Sequence, residues 1–510
     1  MARRRLTSLL FALALLLPEP GARPAGAERF GRRPDRPNVL VIIGDDHAAG
    51  TLGIDGDPRS ATPRLDALAR QGVRFDRAFC NAPVCTASRQ SLLTGRMPHA
   101  VGVTQLMTAL PESTTTMAEW LARLGYATGA IGKMHFNGPA DHGFAFRVDA
   151  PDWQKHLRQN PPAGGDRRRK WRPFVDHASV WLNAEARPAG LPVDSMEATY
   201  FADRAAGYFR DHADEPLLLF VGFHEPHSPF TFPDEWAGRF RPDQFEVPAV
   251  SEADRAEQPW IFSTLSPAEI RGIQAAYYTS LNFLDHQVGR VLDALDATGL
   301  ADDTIVVYVG DNGYFRGHHG RFEKHAMYEE AVRVPLIVRW PGHFEPGRRV
   351  TELVELVDLV PTLAELIGEP PPSELHGTSL IPLLTGQPGA KGRDVVVSLY
   401  TENEEAMARS DRYKLIVSSG SRRRRDGYET GRPLPGPYEK LFDLEADPDE
   451  STDLIGRPEF AGVADGLRKA LLERLAATRG DSPPAPEGLD ERESLSWYLV
   501  PRDVAPPDRR

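Results

Sequence analysis

Strand-like apolar runs at 38–44, 127–132, 217–223, 305–310 and 335–338 constrain this chain more than any other feature of it. A strand with one face in water alternates apolar and polar side chains. The run NVLVIIG at 38–44 offers no polar face, so it must be covered on both sides. Between the runs lie segments with helical spacing, at 62–69, 117–124, 196–209, 267–295 and 357–367. The longest places Ile270, Ile273, Ala276, Tyr277, Leu281, Leu284 and Val288 on one stripe, which reads as a packed core helix. Strands alternating with helices predict an α/β fold: a large mixed, mostly parallel sheet flanked by helices.

The strongest runs end in residues that can do chemistry: Asp45-Asp46, Lys133, His224 and Asp311-Asn312. In open α/β sheets, ligands bind beyond the carboxyl ends of the strands, so these ends are expected to share one site. Asp45, Asp46, Asp311 and Asn312 offer three carboxylates and an amide. Such hard oxygen donors suit Ca²⁺ or Mg²⁺ rather than a thiolate-loving metal. Either pair alone reads as a turn or a helix cap. Both following core strands, they predict one divalent cation site, with Gly313 supplying an unusual backbone angle. Lys133 and His135 are two residues apart and can point the same way. The segment His224-Glu225-Pro226-His227 presents two histidines, of which His224 reads as structural. Lys324, with Tyr328, Glu329, Glu330 and Arg333 beyond it, is either part of the site or a solvated helix face with ordinary charge pairs.

Cys85 opens a helix-like segment, and Arg89 falls one turn later on the same face. A helix N-terminus and a guanidinium both favour negative charge, so a reactive group at 85 would sit in an anion-binding position. Cys80 and Cys85 are the two cysteines of the chain. They can bridge in an oxidising compartment, or Cys85 can be a small buried hydrophobe. Cys80 ends the run 73–79, where a buried free thiol is common, and the free form is preferred here.

A chain of 510 residues holds more than one core, and 41% hydrophobic with 26% charged residues is globular composition. Net charge of −12 excludes a general nucleic-acid binder. Three arginines at 3–5, an apolar stretch at 6–17 and Ala25-Gly26-Ala27 predict a signal peptide at 1–27, hence an exported, periplasmic or secreted protein. The apolar stretch is too short for a membrane span, and no other segment is long and apolar enough. The expected organisation is a main domain at 35–375, a smaller C-terminal α+β subdomain at 376–478 and an extended tail at 479–510. Residues 161–173 read as a surface loop. The basic runs 167–170 and 422–425 read as solvated loops, or as flanks of a cleft that attracts a polyanion.

The string Cys85-Thr86-Ala87-Ser88-Arg89 with Leu92-Leu93-Thr94-Gly95 resembles the signature of the type I, formylglycine-dependent sulfatases of the alkaline phosphatase superfamily. Ala87 stands where that family usually has proline. Five further segments resemble the family in order: the opening strand through Asp45-Asp46, Gly132-Lys133-Met134-His135, Pro226-His227-Ser228-Pro229, Gly310-Asp311-Asn312-Gly313, and Lys324 to Pro335. Residues 408–416 and 441–448 resemble its closing strands. The resemblance implies a sulfatase catalytic domain at 35–375 and a sulfuric ester hydrolase. Cys85 would be oxidised to formylglycine by a formylglycine-generating enzyme and would join Asp45, Asp46, Asp311 and Asn312 around one divalent cation, Ca²⁺ ahead of Mg²⁺. Arg89 and Lys133 would fix the hydrated aldehyde and the sulfate, and Lys324 and His227 would hold sulfate and help the alcohol leave. His135 would take a proton. A sulfated small molecule or polysaccharide is the implied substrate, with a sulfated carbohydrate preferred. Two other readings are a phosphonate or phosphate ester hydrolase of the same superfamily, and a non-catalytic secreted binding protein.

Overall fold

The computed structural model describes residues 36–163, 165–372, 374–421 and 427–502. The expected signal peptide at 1–27 and the arginine run 422–425 lie outside the described residues.

The apolar runs form the centre of a nine-stranded sheet, flanked by shorter strands. Its strands are β1 (Asn38–Gly44), β2 (Val73–Phe79), β3 (Ala127–Gly132), β4 (Phe146–Val148), β5 (Leu217–Gly222), β6 (Thr304–Gly310), β7 (Arg333–Arg339), β8 (Arg348–Val350) and β9 (Val354–Glu355). The order is β4-β3-β5-β1-β6-β7-β2-β8, with β9 also on β2. The strands β4, β3, β5, β1 and β6 are parallel, and β7 runs antiparallel to both β6 and β2. Both faces are covered, as the unbroken apolar pattern requires. Val39, Val41 and Ile43 enter one core, and Leu40 and Ile42 enter the other, with the Pro267–Ala297 helix. Each such side chain contributes about 1.5–3 kcal/mol when fully buried.

Register decides what emerges at the carboxyl edge. Gly44 pairs with Gly310, and Gly132 pairs with Gly222, so the four central strands end level with one another. Because β2 is antiparallel to β7, it points the same way as β6 and delivers the chain to the Cys85–Thr94 helix at that edge.

A second, four-stranded antiparallel sheet follows: β10 (Val396–Tyr400), β11 (Glu405–Arg409), β12 (Tyr413–Ser418) and β13 (Tyr438–Asp443). The Ala461–Ala477 helix packs on it through Leu467, Leu471 and Leu475. The extended tail expected from 479 needs correction at its centre. Glu491–Leu499 is a helix whose Leu495, Tyr498 and Leu499 are buried in the same core. Asp490 caps it by accepting the Glu493 N–H at 2.8 Å, and the short apolar stripe is hidden in the sequence by flanking proline and charge.

The charged run after Lys324 is not a solvated face. Buried Lys414 pairs with Glu329 at 2.9 Å and with buried Glu450 at 2.8 Å, tying the small sheet to the large one. Among the described residues, no helix is long and apolar enough to cross a membrane.

Candidate active site

The four strand ends converge as expected. Asp45 and Asp46 follow β1, Asp311 and Asn312 follow β6, Lys133 follows β3, and His227 lies five residues beyond β5. Asp45, Asp46, Asp311, Asn312, Cys85, Arg89 and Lys324 are all buried.

Asp311 organises the floor. Its Oδ1 accepts the N–H of Asp46 at 3.1 Å and of Asn312 at 2.8 Å, while its Oδ2 accepts Arg89 Nε at 2.7 Å. The Asn312 amide donates to Asp46 Oδ1 at 2.7 Å and to the Gly313 carbonyl at 2.9 Å. Lys133 Nζ donates to Asp45 Oδ2, and Lys324 Nζ donates to Asp46 Oδ1. Two ammonium groups therefore offset the charge of two buried carboxylates. Burial alone would raise the Asp45 pKa, but Lys133, His227, Arg89 and Lys324 together hold it well below the usual carboxylate range. Asp311 moves the other way, up to about 6, through burial and the charge of Asp45.

The donor set fits a hard divalent cation. Asp45 Oδ1 and Asn312 Oδ1 are buried and accept no hydrogen bond, a costly state for polar oxygens unless another partner serves them. Ligand atoms of Asp45, Asp46 and His227 also lie within 4.8 Å of one another, which places His227 closer to the candidate metal position than its expected role with the sulfate suggests. His227 Nδ1 lies 2.7 Å from the Ser228 carbonyl oxygen and must carry the ring proton there, leaving Nε2 as the acceptor, 3.6 Å from Asp46 Oδ2. Burial lowers its pKa to about 4 against the opposing pull of Asp46 and Asp45.

Cys85 begins its helix among these groups. Burial raises its thiol pKa, although Lys133 and Lys324 pull it down. A protonated thiol is a poor nucleophile, so an unmodified Cys85 does not suit the position its neighbours give it. Neither cysteine is bridged, and Cys80 is a buried core thiol. His135 is held by Gln90 Nε2, which donates to the His135 carbonyl at 2.9 Å. Burial, then Lys133 and Arg89, push the His135 pKa well below its ordinary value, so the ring is neutral and able to accept a proton.

Residues 37–369 match the family model described as Sulfatase. The chain belongs to the sulfatase family. Residues 317–477 of this sulfatase match a second model, N-sulphoglucosamine sulphohydrolase, C-terminal. Arylsulfatase A of Homo sapiens is 32% identical over 487 residues, covering 86% of this chain and 86% of its own. The ulvan-active sulfatase of Formosa agariphila is 28% identical over 473 residues, covering 91% of this chain and 84% of its own. The structure of the phosphonate monoester hydrolase of Agrobacterium radiobacter superposes with a TM-score of 0.72 at 24% identity, over 87% of this chain and 96% of that one, which shows the shared fold. This sulfatase is accordingly an enzyme that hydrolyses sulfate esters.

Supporting residues escaped the sequence reading. Tyr277 is a core residue as expected, but its hydroxyl also donates to the Asp46 carbonyl and accepts the Ala48 N–H, both at 3.0 Å. It thereby holds Asp46 in the left-handed region, with φ 60°. Ser88 donates to the Asp311 carbonyl, joining the Cys85 helix to the loop that follows β6. A Cβ on Gly222 would lie 2.3 Å from the Lys133 carbonyl oxygen and 2.9 Å from Arg89 Nη1, so glycine there clears room for the guanidinium. The glycine ending each central strand was the signal for such close approach. Gly313 works the same way, contrary to expectation: it has no positive φ, and a Cβ would come within 1.9 Å of the Glu330 carbonyl oxygen. His224 is paired with Glu197 at 2.6 Å, which fits its structural reading.

Proposed function

We propose that this sulfatase acts through a formylglycine made from Cys85 and one divalent cation, Ca²⁺ ahead of Mg²⁺, on a sulfated carbohydrate. The observation that carries the reading is the pair of buried oxygens on Asp45 and Asn312 that accept no hydrogen bond, in a group whose lysine charges act on Cys85. Asp45, Asp46, Asp311 and Asn312 would hold the cation together with residue 85. When bound, it supplies positive charge that lowers the cost of forming an alkoxide.

The formylglycine aldehyde hydrates to a geminal diol. One hydroxyl oxygen at 85 would attack sulfur and give up its proton to solvent, forming a sulfate ester of residue 85 as the bond to the substrate alcohol breaks. The alcohol takes its proton from Lys324, which solvent then reprotonates. Arg89 and Lys133 orient the diol and the sulfate, and Lys324 donates to sulfate oxygen and to the departing alcohol. His227 joins Lys324 as a donor only in its imidazolium form, because the neutral ring commits Nδ1–H to Ser228. Neutral His135 takes the proton of the second hydroxyl. The bond from residue 85 to sulfate then breaks, inorganic sulfate leaves, and the aldehyde returns.

The carbohydrate reading draws on the similarity to the ulvan-active sulfatase and to the N-sulphoglucosamine sulphohydrolase model. Maturation by a formylglycine-generating enzyme and export to the periplasm or medium belong to the same proposal. Peptide mass analysis of residue 85, paired with ion chromatography of released sulfate, tests it. Unmodified Cys85 in active enzyme, or a Cys80–Cys85 bridge, overturns it. A second reading, phosphonate or phosphate ester hydrolysis, is favoured by the fold shared with the phosphonate monoester hydrolase. Faster turnover of an aryl phosphonate ester than of the matching aryl sulfate would decide for it.

A further inference from the structure

A chain of ring contacts runs from the residue after Lys324 to the surface. His325 follows Lys324, whose ammonium contacts Asp46, and the His325 ring meets Tyr428 edge-on with centroids 5.0 Å apart. Tyr428 in turn meets Phe174 edge-on, also at 5.0 Å. The Trp260 backbone joins the chain next to Tyr428, its main-chain N–H donating to the Glu429 carbonyl at 2.9 Å. Beneath them, Trp181 and Phe262 form a buried base. Unlike that base, Phe174 is 46% exposed and Trp260 56% exposed. Two large aromatic side chains are thus exposed on segments that meet at Tyr428 and Glu429.

Phe174 also carries strain. Its φ is 63°, in the left-handed region, which costs a bulky L-residue on the order of 1–2 kcal/mol. Half-exposed, the ring recovers little of that through burial. The same loop supplies local charge. Arg167, Arg168 and Arg172 are paired with Asp234, Asp166 and Asp176. Arg169 and Lys170 are exposed and have no ion pair among the described residues, on a protein whose net charge is −12. Exposed rings, with cations on the Phe174 loop that have no ion pair among the described residues, match one kind of occupant. A pyranose presents an apolar C–H face to the negative face of an aromatic ring and carries its sulfates at the rim.

We propose that Phe174 and Trp260 form a stacking platform for a sugar ring of a sulfated oligosaccharide, beyond the unit that bears the scissile sulfate, with Arg169 and Lys170 supplying charge for a further sulfate. The enzyme would then be selective for chains rather than for isolated sulfated sugars. This rests on the carbohydrate reading above.

Calorimetric titration of Cys85→Ala, which binds without turnover, tests the platform. The probes are hexasaccharides and disaccharides prepared from ulvan, carrageenan and chondroitin sulfate. In at least one series the hexasaccharide should bind about tenfold tighter than the disaccharide. Adding Phe174→Ala and Trp260→Ala should erase that advantage, whereas Phe174→Tyr with Trp260→Phe should keep it. Thermal melting verifies that each variant is folded. No length dependence in any series overturns the proposal, as does an advantage that survives loss of both rings. A dimer of the unsubstituted protein that the double alanine variant dissolves also overturns it, by assigning the patch to a second copy. Failure of the parent reading is separate: it shows as no sulfate release from any of these oligosaccharides by the mature enzyme, whatever the platform binds.

Discussion

Arg89 Nε donates to Asp311 Oδ2 at 2.7 Å, so the helix that begins at residue 85 is pinned to the loop that follows β6. The same guanidinium donates to the Lys133 carbonyl and lies 3.8 Å from Asp45 Oδ1. One buried side chain thus sets the spacing of three strand ends. Arg89→Ala should leave the Asp311 carboxylate buried and unpaired, costing about 3–5 kcal/mol in denaturant unfolding. Arg89→Lys keeps the charge but loses the planar fork, and should recover only part of that.

Cys85→Ala should abolish sulfate release while moving the melting temperature by less than about 4 °C, since a small buried side chain is replaced by another. A large loss of stability would make Cys85 a packing residue instead.

Lys133→Ala and Lys324→Ala should each lower kcat on an aryl sulfate by about a hundredfold to a thousandfold, the usual cost of removing one donor to developing charge. Near-normal kcat for either variant would show that its ammonium serves only its carboxylate partner, Asp45 or Asp46.

Chelation should lower the melting temperature, and Ca²⁺ should restore it. A ligand at a hundred times its Kd stabilises the folded state by about 2.7 kcal/mol. Asp311→Ala should abolish that response. Equal stability with and without chelator would remove the cation from the proposal.

Stability should depend on Glu225. Burial, then the charge of Glu197, pushes its pKa up from 4.5 to about 8. Between those values the folded state binds more protons than the unfolded one. Stability should therefore fall as pH rises through that window, by a few kcal/mol on the order of magnitude. Glu225→Gln keeps the shape and removes the titration, so it should flatten the curve between pH 5 and 8. Unfolding measured across that range checks the slope.

Much of this arrangement was legible in the sequence. The apolar runs announced a doubly covered sheet because no other environment accepts seven consecutive residues without a polar face. The polar residues behind them announced a site, because parallel strands all present their carboxyl ends to one edge. Less legible were features carried by contacts between distant segments. The helix Glu491–Leu499 looked like tail, since its apolar stripe means something only against Leu467 and Leu471. Glu329 looked like a solvated charge, since its partner Lys414 lies on another sheet.

The sequence by itself determined the strand ends, the cysteine at the mouth of a helix and the family those motifs belong to, because such features depend on neighbours along the chain. Only the tertiary structure decided that Gly44 pairs with Gly310, that Asp311 meets Arg89, that His227 turns its acceptor nitrogen toward Asp46, and that Phe174 joins Tyr428 at the surface. Each of these depends on register and packing between segments far apart in the chain, where differences of a few ångströms settle which polar atoms meet.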